Sequence, residues 1–360
     1  MSNKKFQAGI AIPPGETLKE VLDDKNITQK ELALRLGVTP KHINKIINGT
    51  ATISSDIALK LESVLGISAS FWNKLEASYQ ETKARLRELP QIDEELSIAQ
   101  SIPYNEISSL GWIADTKDKR ERVKNLRSLL RVASLSNLPL VECALFRKSE
   151  AFKTNKYTLA LWMNQAETLA SDIETEPFNS SKLNDVLPNF KQLTNKPLKA
   201  SKSNLIEICA SVGIALVFIP TLSGTHVNGA TKWLTSKKVM IAMSLKGAYE
   251  DIFWFTFFHE ICHVLQANKS ITFIDEEENT EIDDLETSAD KFSTNFLISE
   301  EQYDEFISKS NYQDISNIRN FSEKLGIHIG IVIGRLLHDK LISYDSIQYK
   351  SFEKLRRKSK

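Results

Sequence analysis

Residues 252–265 read IFWFTFFHEICHVL, an almost unbroken apolar run that contains the pattern His-Glu-x-x-His. On a helix, positions i and i+4 lie on one face, so His259 and His263 can offer their imidazoles to the same metal ion. Glu260 then lies beside the ion, where it can take a proton from metal-bound water. The aromatic residues around the histidines predict a buried helix and a site that excludes most water.

A catalytic zinc site has three protein ligands and leaves the fourth position to water, so a third ligand is expected. Residues 285–297 place apolar side chains at helical spacing, and Glu286 on this second helix is the best candidate. Cys262 is an alternative ligand, although a small thiol packed in the core is the interpretation we favour. The sequence therefore predicts a zinc ion held by His259, His263 and Glu286.

The composition is that of an ordinary globular protein. Of the 360 residues 41% are hydrophobic, and 46 Lys and Arg balance 46 Asp and Glu, so no overall charge indicates a polyanionic partner. The three scattered cysteines form no disulfide framework, which favours a reducing compartment. The N-terminus has no signal-peptide core and no segment is apolar over the length of a bilayer, so we expect a cytoplasmic protein without membrane contact.

Residues 13–79 carry a succession of helix start and stop signals. Thr28 and Glu31 form a T-x-x-E capping box at the start of a helix that ends at Gly37. Thr39, followed by proline, caps the next helix. Two short helices joined by so tight a turn predict a helix-turn-helix.

In that motif the second of the two helices enters the major groove of DNA. Residues 1–80 hold ten Lys and Arg against eight Asp and Glu, a weak basic surface, so operator binding would require a dimer. A small helical bundle used only for protein contacts is the alternative. The candidate DNA-binding residues are Gln29, Thr39, Lys41, His42, Asn44, Lys45 and Asn48.

Residues 12–85 resemble the HigA-type antitoxins of the XRE class. The resemblance is carried by the stretches PPGETL (13–18), QKELA (29–33), HINKIING (42–49) and LGISASFW (65–72). It implies a five-helix, lambda-repressor-like domain in a cytoplasmic homodimer that binds its own operator DNA and often neutralises a companion toxin.

The middle of the chain carries no chemical constellation. Residues 74–89 predict a charged connecting helix ended by Pro90, and residues 100–200 predict further helices punctuated by prolines such as Pro188. Residues 146–149 and 161–164 are either a recognition surface or a packing layer, and the sequence does not separate the two.

A small sheet is predicted before the histidine helix. Apolar runs at 214–219 and 239–245 predict strands, preceded by a helix at 206–212, and the stretch 223–231 is rich in turn formers. An edge strand of such a sheet can hold an extended peptide through main-chain hydrogen bonds. His226, within the turn-rich stretch, is a candidate substrate-binding residue.

Residues 200–340 resemble the ImmA/IrrE family of zincin-like metallopeptidases. The carrying stretches are GAT (229–231), FWFTFFHEICH (253–263), ETSADKF (286–292) and IVIGRL (331–336). The resemblance implies Zn²⁺ bound by His259, His263 and Glu286, with Glu260 as general base. It also implies a role for Arg335 in substrate binding or support.

Two charged segments have open roles. The acidic run 275–278 can steer a basic peptide or form a lid, but a solvated loop is the plainer interpretation. The basic tail 346–360 is predicted to be disordered or to contact DNA.

These features predict a mainly helical α+β chain with four parts: a helix-turn-helix domain at 12–80, a helical middle region at 81–200, a zinc peptidase domain at 201–345 and a basic tail. Because the resemblance implies that such peptidases act on XRE-type repressors, we expect a DNA-binding regulator or antitoxin of a toxin–antitoxin or mobile-element module. Its endopeptidase domain would cleave a regulatory protein, whether itself, a repressor or a toxin partner. The alternative is a non-catalytic antitoxin whose metal-containing domain only binds a toxin or senses a ligand.

Overall fold

The structure of the protein is a computed structural model that describes residues 9–138, 155–225, 227–244, 249–266, 280–309, 311–346 and 349–359. The chain divides into two compact units, Met1–Leu96 and Ser97–Lys360. Helices predominate in both, and the second also contains a three-stranded sheet. The predicted α+β fold class is therefore confirmed.

The first unit is a five-helix domain whose local signals act as the sequence predicts. Thr28 Oγ1 accepts the N–H of Glu31 at 3.2 Å, and Thr39 Oγ1 accepts the N–H of His42 at 3.2 Å. Gly37 ends its helix with a left-handed φ of 65°, which glycine adopts at little cost. The helices are α1 (Pro14–Asp24), α2 (Gln29–Leu36), α3 (Pro40–Ile47), α4 (Ser55–Leu65) and α5 (Ala69–Glu94).

Two prolines lie inside helices, so the prediction that these prolines end or separate helices is wrong. Pro90 lies within α5, and Pro188 lies within α10 (Ser180–Leu193). A proline inside a helix costs about 3 kcal/mol. In α10 a stripe of four buried side chains continues past the proline, and their burial outweighs that cost. These side chains are Leu183, Leu187, Phe190 and Leu193.

The second unit surrounds its sheet with helices. Within the described ranges, no helix is both long and apolar enough to cross a bilayer. The remaining helices are α6 (Leu96–Gln100), α7 (Tyr104–Ser109), α8 (Lys119–Leu130), a 3-10 turn (Leu135–Asn137), α9 (Lys156–Ser171), α11 (Leu198–Ser211), α12 (Glu250–Gln266), α13 (Thr280–Leu297), α14 (Glu300–Lys309), α15 (Ile315–Leu325), α16 (Ile329–His338) and α17 (Tyr349–Glu353).

The sheet has the order β1-β3-β2, with β1 (Ile214–Ile219) parallel and β2 (Gly229–Thr235) antiparallel to β3 (Lys238–Ser244). The sequence predicts β1 and β3, but no strand is predicted at β2, whose first residues belong to the turn-rich stretch 223–231. Turn-forming residues lead into β2, and its first residue is Gly229, which is atypical of a strand. The reason for this glycine lies in the site described below.

Successive side chains of the sheet alternate between two apolar layers. One layer faces α12 and joins the main core, with Leu216 and Ile241 among its members. The other layer, which includes Val217 and Met240, is covered by Trp162 and its neighbours on α9. Residues 161–163 are buried, so at these positions the packing interpretation is right, whereas 146–149 lie outside the described residues.

The basic C-terminal segment is docked on the start of α12, so the prediction of a disordered tail is wrong. Phe352 is buried, and Lys358 forms a β-bridge with Tyr249. The guanidinium of Arg356 donates two hydrogen bonds to the carboxylate of Asp251, at 3.1 and 2.7 Å, and both side chains are buried. These tertiary contacts leave no sequence pattern of their own, which is why the charges alone indicate a solvated tail.

Candidate functional site

Helix α12 places both histidines of the motif on one half-buried face. The aromatic side chains Trp254, Phe257 and Phe258 are fully buried and fix the helix against the core. One turn separates His259 from His263, and their Nε2 atoms lie 3.0 Å apart.

Helix α13 brings Glu286 to these two histidines. Its Oε2 lies 3.2 Å from His259 Nε2, and its Oε1 lies 3.4 Å from His263 Nε2. The ligand atoms of a tetrahedral zinc ion, with bonds of about 2.0–2.1 Å, lie about 3.3–3.4 Å apart. The donor set of two imidazoles and a carboxylate therefore fits a zinc ion in both chemistry and spacing.

Asp290, which the sequence reasoning missed, holds the other nitrogen of His259. Its Oδ1 lies 2.9 Å from His259 Nδ1. A carboxylate in this position fixes the tautomer and ring orientation of a metal-binding histidine. The signal in the sequence is the spacing, because Asp290 follows Glu286 by four residues on the same helix.

The carboxylates also set the protonation of the metal-free cluster. Burial lowers the pKa of His259, but hydrogen bonds to Asp290 and Glu286 and the nearby carboxylate charges outweigh it and raise this pKa to about 10. Burial raises the pKa of Glu286, and the hydrogen bonds and charges of the two histidines reverse this and bring it to about 2. In the metal-free protein the cluster is thus an imidazolium paired with a carboxylate.

Glu260 lies between the cluster and strand β2. Thr231 donates a hydrogen bond of 2.7 Å to Glu260 Oε2, and both side chains are buried. A Cβ on Gly229 would lie 2.8 Å from Glu260 Oε1 and 2.7 Å from Thr256 Cγ2, so only glycine fits there. Burial raises the pKa of Glu260, although the two histidines and the Thr231 hydrogen bond act against it. Glu260 is therefore a buried carboxyl group held in one orientation beside the three candidate ligands.

Cys262 lies away from the three ligand atoms. Its Sγ points towards the carbonyl oxygen of Ser288 at 3.9 Å, and burial raises the pKa of the thiol to about 11. A buried thiol with a raised pKa is a poor metal ligand, which favours the core interpretation.

Of the two candidate substrate residues, Arg335 lies in the described part of the chain, and the contacts it makes there are with Asp339 and Tyr303. Arg335 on α16 donates to Asp339 Oδ2 at 2.7 Å and lies over the ring of Tyr303 at 4.6 Å. This arrangement favours a supporting role for Arg335. His226 lies outside the described residues.

The candidate DNA-binding residues lie on the outer face of the helix-turn-helix. Four side chains of α3 and its C-terminal cap are exposed, namely Lys41, Asn44, Lys45 and Asn48. His42 and Gln29 are half-buried, and Thr39 is exposed and caps α3. Asn48 Nδ2 donates to Asn44 Oδ1 at 3.0 Å, which links two of the amides on this face.

Two family models match the chain. The model described as helix-turn-helix matches residues 18–72, and the model described as IrrE N-terminal-like domain matches residues 247–336. The first range holds the core of the five-helix domain, and the second holds the candidate metal ligands His259, His263 and Glu286.

Individual relatives match about a fifth to a quarter of the chain. An uncharacterized HTH-type transcriptional regulator of Escherichia coli (strain K12), YddM, is 28% identical over 71 residues, which are 20% of this chain and 76% of that protein. The solved structure of the Pseudomonas aeruginosa antitoxin HigA with the higBA promoter is 33% identical, covering 24% of this chain and 95% of that chain, with a TM-score of 0.23. An addiction module antidote protein of the HigA family from Coxiella burnetii is 29% identical, covering 24% and 94%, with a TM-score of 0.22.

Proposed function

We propose that this chain, which joins an XRE-type helix-turn-helix domain to an IrrE/ImmA-like peptidase domain, is a DNA-binding regulator that carries a zinc-dependent endopeptidase. The observation that supports the enzyme is the cluster of His259, His263 and Glu286 with the buried carboxylate of Glu260 beside it. A purely structural zinc site has no use for such a base.

In this proposal His259, His263 and Glu286 hold the zinc ion, and Asp290 keeps Nδ1 of His259 protonated so that Nε2 is free to bind. When bound, zinc polarises the carbonyl of a peptide and makes a water molecule acidic enough to attack it near neutral pH.

Glu260 moves the protons. Its carboxylate accepts one from the attacking water and later delivers it to the nitrogen of the leaving amine. The hydrogen bond from Thr231 and the close approach of Gly229 hold this carboxylate in one orientation, so its position is fixed before a substrate arrives. The substrate in this proposal is a regulatory protein: this chain itself, a repressor or a toxin partner.

For the first unit we propose operator binding through α3 as a homodimer. Asn44 and Asn48 present amides that can pair with adenine, whereas Lys41 and Lys45 can contact guanine or phosphate. Two copies are needed because one copy offers few basic contacts.

Metal content measured by mass spectrometry tests the site. We expect one zinc per chain in the wild-type protein and none in His263→Ala. His338→Ala is the matched control, because His338 is an exposed histidine outside the cluster and its loss should leave the zinc in place. A wild-type protein that binds no zinc, even when zinc is supplied, would rule out the proposed mechanism.

Glu260→Gln separates the enzyme from a binding module. We expect this variant to keep its zinc and lose both cleavage and regulation. If it regulates as well as the wild type does, the domain acts by binding alone and the endopeptidase proposal is wrong.

A further inference from the structure

Alternate residues of strand β2 face α12. Gly229 lies against Thr256 and Glu260, and Thr231 is bonded to Glu260. The next residue in this series is Trp233, which belongs to the same apolar layer. One two-residue step along a strand is about 6.6–6.8 Å, so Trp233 lies that far along β2 from Thr231.

Trp233 is half-buried and is held by packing. Its ring meets that of Phe178 edge to face, with centroids 4.9 Å apart at 84°. The backbone of Phe178 packs directly against Gly213. A Cβ at Gly213 would lie only 2.3 Å from the Cα of Phe178, so the absence of a side chain there permits this close contact. Within the described part of the chain the buried Nε1 of Trp233 has no hydrogen-bond acceptor, so the indole is oriented by its apolar contacts.

The position of β2 at the edge of the sheet relates this aromatic pair to a substrate. An extended peptide that adds to the sheet beside β2 repeats its side chains with the same two-residue period. If the carbonyl that reacts lies near Glu260 and Thr231, the side chain one period away lies near Trp233. A half-buried indole wall favours a large apolar side chain there, because that side chain covers it from water.

We propose that Trp233 and Phe178 form a specificity subsite for an aromatic or large aliphatic residue of the substrate, one strand period from the bond that is cleaved. This inference rests on the proposed endopeptidase function. It narrows the substrate class to extended segments with a large apolar residue at that position.

The test is cleavage of a mixed peptide library by the zinc-loaded full-length chain, with mass-spectrometric identification of the products. We expect large apolar residues to be enriched at one position in the wild-type products. In Trp233→Ala this enrichment should disappear, and kcat/KM for the best peptide should fall about ten- to hundredfold, whereas a peptide with alanine at that position should change little. Trp233→Leu keeps an apolar wall and should retain preference for aliphatic residues.

Leu234→Ala is the matched control, because Leu234 belongs to the opposite apolar layer of the same strand. Zinc content verifies that each variant has an assembled site. Binding of a fluorescent form of the best peptide to Glu260→Gln, with and without Trp233→Ala, gives a measurement that does not require turnover. We expect binding to weaken about tenfold or more when the indole is removed.

The outcomes separate the subsite from the enzyme. If the wild type cleaves peptides without an apolar preference, or if the preference survives in Trp233→Ala, the subsite is wrong and the endopeptidase stands. If the zinc-loaded wild type cleaves no peptide, the proposed function fails and the subsite fails with it.

Discussion

In the metal-free protein, the free energy of unfolding of the second unit should fall as the pH rises. In the metal-free protein the pKa of His259 is about 10, against 6.5 for an unperturbed histidine. A group whose pKa is higher in the folded state contributes stability that is complete below pH 6.5 and is lost as the pH rises through about 10. At about 1.36 kcal/mol for each pH unit, the whole contribution is about 5 kcal/mol.

Between pH 7 and pH 9 the expected loss is about 3 kcal/mol, because in this range His259 is protonated in the folded chain and neutral in the unfolded one. The assay is urea unfolding in the presence of a chelator at pH 7, 8 and 9, followed by tryptophan fluorescence. Four of the five tryptophans, Trp112, Trp162, Trp233 and Trp254, lie in the second unit and report on it.

His259→Gln is the control, because glutamine has no titrating group while every other residue is unchanged. The difference between wild type and variant isolates the contribution of His259, and it should shrink from pH 7 to pH 9. Zinc-loaded wild-type protein should lack this loss, since zinc binds neutral imidazole. If wild type and variant lose stability in parallel in the chelator, the ion pairing assigned to His259 is wrong.

Three further changes have defined outcomes. Gly229→Ala should keep the zinc and abolish cleavage, because its methyl group displaces Glu260; equal activity would show that the contact is not restrictive. Arg356→Met should lower the free energy of unfolding, measured in urea, by about 3–5 kcal/mol, because it leaves the buried Asp251 carboxylate without its partner. Adding Asp251→Asn should recover most of that loss, and no recovery would argue against the ion pair. Asn44→Ala should weaken operator binding by about 1–3 kcal/mol and relax specificity at one base pair in a gel-shift titration; unchanged binding would remove Asn44 from the interface.

The parts of the fold that sequence reasoning predicts well are those decided by near neighbours. Thr28 and Thr39 cap helices whose N–H groups lie three residues away, and Gly37 ends a helix through its own φ. The motif His259 to His263 is likewise a property of one helical turn. Such features need no knowledge of the rest of the chain.

The features that the sequence does not give are contacts between distant segments. Thr231 and Glu260 are 29 residues apart, and Arg356 and Asp251 are 105 residues apart. Neither pair has a local period or spacing to indicate it. Pro188 fails as a helix breaker for a related reason, because burial of the surrounding apolar stripe outweighs its local preference.

Because the C-terminal segment docks on the start of α12, the two units can complete their folding at different times during synthesis. The five-helix unit has its own core and is complete once residue 96 is free of the ribosome. Asp251 must wait for Arg356, 105 residues later, which at about 5–20 residues per second is a delay of about 5–20 s. In a newly made chain the helix-turn-helix domain can therefore fold before the contact of Arg356 with Asp251 stabilises the N-terminal end of α12, the helix that carries His259 and His263.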